Sequence, residues 1–294
     1  MEAIWAKCPF YAARMDDGGA VRPWTLDDLE DWAAAHDDPY GGRRVEDRLP
    51  PLSLQLEASD DPYLWVGVDA GELGRWSAAL ERLLARWGVG AGDTVAYFEY
   101  GSSPLVLLSA GSYVPHLAGG AVDRLGADTY CNDGLASMAI RMVDALRRLR
   151  PAAVVLRADV LAPFAEAVDV TGLALAEVAG HVAVTVPEGA PFPAEVARYA
   201  ERWGMAVRGL LRADAAFLVA GDCDHCGLFH VDPDLYRLEP APDGTAVTAS
   251  FAHTTPAVNH LLEGWVQEPA GCPEEPPAPR LVRARPAAPG TTRA

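Results

Sequence analysis

Residues 76–101 read WSAALERLLARWGVGAGDTVAYFEYG, and the spacing of apolar side chains changes character within them. Trp76, Leu80, Leu83, Leu84 and Trp87 recur every three to four positions, so they share one face of a helix, and Gly88 follows as a stop. Gly92-Asp93 then leads into Thr94–Phe98, a short β-rich run. A helix passing through a glycine turn into a short apolar strand is the repeating element of an α/β sheet.

Outward from this stretch the alternation continues. The pattern predicts helices over 111–125 and 137–149 on either side of a short strand near 127–130. A buried strand follows over 152–156, a helix over 160–168, a strand over 181–186, a helix over 194–203 and a strand over 205–208. Strands alternating with helices predict a mostly parallel sheet wrapped on both faces, covering 1–215. Beyond Ala215 the strands 217–220, 235–239 and 246–251 are joined by turns such as Pro242-Asp243-Gly244, which predicts a β-rich, antiparallel subdomain over 216–267. Residues 268–294 are rich in Pro, Ala, Arg and Thr and read as a disordered tail.

Bulk properties narrow the class of partner. The chain has 294 residues, half of them hydrophobic, and a formal net charge of −17. That charge speaks against nucleic acid and anionic membrane surfaces, which need a basic footprint. Residues 101–122 contain no Asp, Glu, Lys or Arg but are broken by Pro104, Gly111, Pro115 and Gly119-Gly120, so they read as buried core and not as a membrane span. The first fifteen residues carry Glu2, Lys7 and Arg14 and lack the apolar core of a signal peptide, which gives an expected cytoplasmic location. Five cysteines at uneven spacing do not make a disulfide framework.

Several short segments, in order, resemble the phenylacetate–CoA ligase branch of the adenylate-forming (ANL) superfamily. They begin with Cys8-Pro9-Phe10-Tyr11 and Arg14, then Thr25-Leu26-Asp27-Asp28-Leu29 and Asp38-Pro39-Tyr40-Gly41. The stretch from Trp76 to Gly92-Asp93 follows, with Glu99-Tyr100-Gly101, Gly119-Gly120 and Arg124-Leu125-Gly126-Ala127. Gly227-Leu228-Phe229-His230-Val231-Asp232 closes the series, similar to a "GLHxxxD" element before a strand hairpin. The resemblance implies an adenylate-forming N-terminal-domain fold: α/β, a mostly parallel sheet wrapped by helices, plus a small antiparallel β region.

The same resemblance points to departures from the family's ATP chemistry. Where the family has a Ser/Thr/Gly-rich phosphate loop, this chain reads Glu57-Ala58-Ser59-Asp60-Asp61-Pro62-Tyr63, with two carboxylates and a proline in place of convergent amides. Where it has a "YGxTE" element, the chain reads Gly209-Leu210-Leu211-Arg212-Ala213-Asp214, and only Asp214 could stand in for the metal-holding carboxylate. Val258-Asn259-His260 replaces the arginine-containing hinge. The catalytic lysine of the lid domain has no counterpart, since Lys7 is the sole lysine. The expectation is a degenerate relative, without that lid, that needs no cofactor and does not adenylate.

By resemblance, Tyr100, Gly101, Ser102 and Ser103 border the acyl pocket, with Asp214 as a further substrate contact, and His116 and the Cys131-Asn132-Asp133-Gly134 turn nearby. His116 as general base, and Ser102, Ser103 or Cys131 as nucleophile with Asp133 beside them, form the candidate catalytic set. The plainer reading of Cys131 and His116 is a small buried thiol and a hydrogen-bonded core histidine. No G-x-S-x-G elbow is present, which excludes an α/β-hydrolase.

A second cluster is Cys223-Asp224-His225-Cys226 followed by His230. Cys-x2-Cys with a nearby histidine suits a structural zinc held by Cys223, Cys226 and His230, with His225 or a distant residue such as Cys131 as the fourth ligand. The alternative is a turn whose cysteines are merely reduced. Two functions follow from all this. One is an ATP-independent enzyme of bacterial specialised metabolism that hydrolyses, condenses or cyclises an acyl or aromatic substrate. The other is a non-catalytic relative that binds a ligand or a pathway partner, alone or as a homodimer.

Overall fold

The computed structural model describes residues 4–45, 49–56, 64–110, 117–190, 192–268, 271–273 and 278–283. The chain opens with α1 (Pro9–Ala12) and α2 (Leu26–His36), then β1 (Leu52–Gln55) paired antiparallel with β2 (Trp65–Val68). Next come α3 (Ala70–Arg86), β3 (Thr94–Phe98), α4 (Pro104–Ser109), α5 (Ala121–Arg124) and β4 (Asp128–Asn132). The alternation continues through α6 (Ala139–Leu149), β5 (Ala153–Arg157), α7 (Leu161–Thr171), β6 (His181–Pro187), α8 (Val196–Trp203) and β7 (Val207–Ala213). Strands β8 (Leu218–Asp222), β9 (Phe229–His230), β10 (Tyr236–Ala241), β11 (Gly244–Ala249), β12 (His260–Glu263), β13 (Trp265–Glu268) and β14 (Arg280–Arg283) complete it.

A nine-stranded sheet in the order β13-β14-β9-β8-β7-β6-β5-β3-β4 forms the centre. Its β4-β3-β5-β6-β7 portion is parallel, as helical crossovers require, and β8, β9, β14 and β13 extend it antiparallel. Successive side chains of a strand point to opposite faces, and the burial follows that rule. Ala96, Phe98, Val154, Leu156, Val182 and Val184 pack under α6, α7 and α8. Val95, Tyr97, Ala153, Val155 and Ala183 face the other way, into the larger cluster that contains Trp76, Leu80, Leu83 and Leu84 of α3. Each fully buried valine, leucine or phenylalanine among them contributes roughly 1.5–3 kcal/mol relative to exposure.

Helix α3 begins with a capping box. Asp69 accepts from Glu72 N at 2.8 Å, and the Glu72 carboxylate accepts from Asp69 N at 2.7 Å. The buried Glu72 carboxylate also accepts from His253 N, Thr254 N and Thr254 Oγ1 at 2.5–2.8 Å, so the helix start is tied to a loop far along the chain.

Four expectations need correction. The helix read over 111–125 is not continuous: residues 117–120 are not helical, and α5 starts only at Ala121, because the Asp123 carboxylate caps Gly120 N at 2.8 Å. The apolar run is instead helical from Pro104, where Ser103 caps α4; residues 111–116 lie outside the described part. The strand read over 205–208 runs from Val207 to Ala213. Segment 268–294 is not wholly disordered: Cys272 is buried, and Arg280–Arg283 form β14 with Leu281 fully buried. Finally, β8, β9 and β13 join the main sheet, so the sheet runs across position 216, and only β10-β11-β12 form a separate antiparallel sheet.

Candidate functional site

A cavity of about 560 Å³ opens at the carboxyl ends of the parallel strands. Its walls include Gln55 at the end of β1 and Leu56 just after it, Glu99, Tyr100 and Ser102 after β3, Arg157, Ala158 and Asp159 at the end of β5, Thr185 and Pro187 of β6, and Arg212 and Asp214 from the end of β7. Open α/β sheets place ligands at this edge, because side chains there are carried by rigid strands yet face a crevice between connections.

The floor is polar and organised. Glu99 is fully buried, and Thr185 Oγ1 donates to its Oε1 at 2.6 Å. Arg212 lies with Nη1 3.8 Å from Glu99 Oε2 and with Nη2 2.7 Å from Asp214 Oδ2, so one buried guanidinium sits between two carboxylates. Burying these charges is tolerable only because they compensate one another. At the rim, the Arg157 guanidinium lies 4.0 Å over the Tyr100 ring, and its Nε donates to Asp159 Oδ1 at 2.9 Å.

The expected site residues are placed unevenly around this cavity. Tyr100, Ser102 and Asp214 line it. Gly101 is exposed at its edge. Ser103 is fully buried and serves as the N-cap of α4, with Oγ accepting from Val106 N at 3.3 Å. Asp133 is exposed. Cys131 is half-buried on β4 and is not among the cavity walls; burial, with Asp133 and Glu99 nearby, pushes its thiol up to about 11. A nucleophilic cysteine needs the opposite environment. The turn that follows it depends on Gly134, where an added Cβ would lie 2.4 Å from the Phe98 carbonyl oxygen. His116 lies outside the described residues, as does the acidic segment 57–63.

Reasoning from sequence passed over Glu99, Arg157, Thr185 and Arg212 as functional groups. The signal was present: each is a polar residue within or just after the carboxyl half of a mainly apolar strand. The Val258-Asn259-His260 segment has a structural use. Trp24 Nε1 donates to Val258 O at 2.5 Å, and Asn259 Nδ2 donates to Val21 O at 2.8 Å. The buried His260 pairs with Glu188 and packs on Trp24.

Among the described residues, two groups of side chains have metal-ligating geometry. Asp69, Glu72 and His253 form one, but it coincides with the cap of α3, whose acceptors are already taken by the protein's own donors. Cys223, Cys226, His230 and Cys272 form the other, so the tertiary structure brings Cys272 to the three residues expected from sequence. His225 and Cys131, the expected fourth ligands, are not part of it.

This sheet order, with its crevice at the strand ends, defines the fold of the large N-terminal domain of adenylate-forming enzymes. Among solved structures the chain is similar to 2-hydroxyisobutyryl-CoA ligase. Against its open form with 2-HIB-AMP and CoA the TM-score is 0.72 at 19% identity, covering 95% of this chain and 70% of that one. Against the thioesterification state the TM-score is 0.74 at 18% identity, covering 96% of this chain and 64% of the ligase. A malonyl-CoA ligase with methylmalonyl-CoA and AMP is a more distant match, with a TM-score of 0.53 at 16% identity over 81% of this chain and 53% of that one. The chain thus spans about two thirds of the length of the first of these ligases. No protein-family model and no curated protein matches the sequence. No helix among the described residues is long and apolar enough to cross a membrane.

Proposed function

We propose that the protein binds a small acyl or aromatic acid derivative in the strand-end cavity and transforms it without ATP, by hydrolysis, condensation or cyclisation. The observation that carries this reading is the charge arrangement of the cavity. Three carboxylates (Glu99, Asp159, Asp214) stand against two guanidiniums (Arg157, Arg212), and each guanidinium is already engaged by a carboxylate. A triphosphate would meet net negative charge there, and like charges in a partly desolvated site repel strongly. The acidic Asp60-Asp61-Pro62 sequence adds to the same argument.

Such a site suits a ligand with one polar head and an apolar or aromatic body. The Tyr100 ring under Arg157 offers a flat surface, and the Arg212 guanidinium in the wall offers a fixed positive charge to a carbonyl oxygen. In a hydrolytic step the buried Glu99 carboxylate would take a proton from the water that attacks the acyl carbon, Arg212 would stabilise the oxyanion, and Glu99 would return the proton to the departing thiol or alcohol as the acyl bond breaks. A cytoplasmic role in bacterial specialised metabolism fits this chemistry.

A second reading, non-catalytic ligand binding, is favoured by one observation: Ser103 is committed to a helix cap, and Cys131 is held protonated away from the cavity walls. One set of measurements addresses both. Thermal shifts with aromatic acids and their thioesters should be positive and should vanish in Glu99→Gln and Arg212→Met, while magnesium–ATP should give none. Turnover of a thioester that stabilises the protein selects the enzyme; binding without turnover selects the second reading. Stabilisation by magnesium–ATP, or pyrophosphate release, would sink the ATP-independent proposal.

A further inference from the structure

The sequence Cys223-Asp224-His225-Cys226-Gly227 folds into a tight knuckle between β8 and β9. Gly227 N donates to Cys223 O at 2.7 Å, and Cys223 N donates to Leu228 O at 3.0 Å. Gly227 has φ +65°, a backbone conformation that glycine adopts without a Cβ penalty, and it lets the chain reverse directly after the second cysteine. The knuckle is anchored by Asp224, whose Oδ2 accepts from Arg208 Nη2 at 2.7 Å.

Two further groups close on this knuckle. His230, 1% exposed, comes from β9, with its Nε2 3.2 Å from Cys226 Sγ. Cys272, 1% exposed, comes from the connection between β13 and β14, with its Sγ 3.8 Å from Cys223 Sγ. The three sulfurs and the imidazole nitrogen all lie within 4.8 Å of one another, and none of the cysteines forms a disulfide. A tetrahedron with Zn–S about 2.3 Å and Zn–N about 2.0 Å has S···S edges of roughly 3.8 Å and S···N edges of roughly 3.5 Å. The Cys223–Cys272 separation of 3.8 Å equals such an S···S edge, and the Cys226–His230 separation of 3.2 Å is close to such an S···N edge. Three sulfurs and one imidazole nitrogen at these distances are a donor set that suits zinc.

We propose that Cys223, Cys226, His230 and Cys272 bind one zinc ion in a closed, structural site that fastens the β13–β14 hairpin to the edge of the main sheet. Binding exchanges three thiol protons for the metal: Zn²⁺ and three Cys–SH give a tris-thiolate zinc, the neutral His230 imidazole donates its lone pair, and three protons leave. Four protein ligands leave no position for water or substrate, so the site does not catalyse. Its place agrees. β8 runs antiparallel to β7 with Leu210 opposite Gly221, which puts the knuckle at the amino end of β7, whereas the cavity lies at its carboxyl end. The need for a staple is also visible, since among the described residues β14 pairs with β9 over just two residues, Arg280↔His230 and Leu281↔Phe229, beside one hydrogen bond from Val231 N to Pro279 O.

The test is the metal content of the full chain, purified without a histidine tag from zinc-supplemented cells. About one zinc per chain is expected, released stoichiometrically when a mercurial blocks the thiols in the presence of a zinc-sensing dye. Cobalt exchanged into the chelated protein should show thiolate charge-transfer and tetrahedral d–d bands, and a lowered Tm should recover on adding zinc. Cys223→Ser and Cys272→Ser should lose the metal, while Cys131→Ser keeps it. If those variants fail to fold, mercurial release and the cobalt spectrum of the parent chain still decide. A metal-free protein that takes up neither zinc nor cobalt, or a Cys223–Cys272 disulfide found by mass spectrometry, would overturn the proposal.

Discussion

Burial beside the carboxylates of Asp133 and Glu99 keeps the Cys131 thiol protonated, with its pKa pushed up to about 11. Alkylation needs the thiolate, so native Cys131 should react with iodoacetamide at pH 7 more than a hundredfold slower than an ordinary exposed cysteine. Fast labelling of this residue, read by peptide mapping, would contradict the environment described. His181 makes an opposite kind of prediction. Burial, with Arg208 nearby, lowers it to about 4, and its ring packs against Trp87. Because the unfolded state takes up the proton first, the stability that His181 contributes is present above about pH 6.5 and is lost as pH falls toward 4. A shift of this size corresponds to roughly 3 kcal/mol. Asp222, raised to about 6 by burial, titrates in the reverse sense over the same window. The useful quantity is therefore the difference between the parent and His181→Gln in denaturant titrations. The parent should lose ground to the variant between pH 6.5 and 4, and a difference flat in pH would refute it.

Helix α3 was legible from Trp76 onward because its apolar period and its glycine stop agree, whereas its start at the Asp69–Glu72 box was shown by the structure. Asp69→Ala should cost about 1 kcal/mol, as for other caps. Glu72→Ala should cost distinctly more, since it also deprives His253 N, Thr254 N and Thr254 Oγ1 of their acceptor. Equal losses in urea denaturation would mean that the loop docks without the carboxylate. Strand β14 was not legible. Its four residues, Arg280–Arg283, lie in a proline-rich context with no alternating pattern long enough to read, and pairing with β13 and β9 makes them a strand. Leu281→Ala should cost about 2–5 kcal/mol, the range for a buried leucine, whereas a disordered tail would show no change. The misread helix over 111–125 has a similar cause: a charge-free run looks like helix core, but Gly119-Gly120 and the Asp123 cap restart the chain at Ala121.

At the scale of the molecule, the parallel strands separate two sites. The cavity lies at the carboxyl end of β7 and the cysteine knuckle beside its amino end, and they have no side chain in common. Cys272→Ser should therefore lower Tm while changing the dissociation constant of a cavity ligand less than about threefold; strong coupling would require the hairpin to reach the cavity. The sequence by itself determined the alternation of helix and strand, the acidic net charge, and three of the four residues of the proposed zinc site, because those are properties of spacing and composition along a short stretch. Only the tertiary structure decided that Glu99, Thr185, Arg212 and Asp214 meet across three strands, that Cys131 stands off the cavity walls, and that Cys272 reaches the knuckle. Those facts depend on which strands become neighbours, and neighbour order is set by burying both faces of the sheet at once, a global condition that no local window of residues contains.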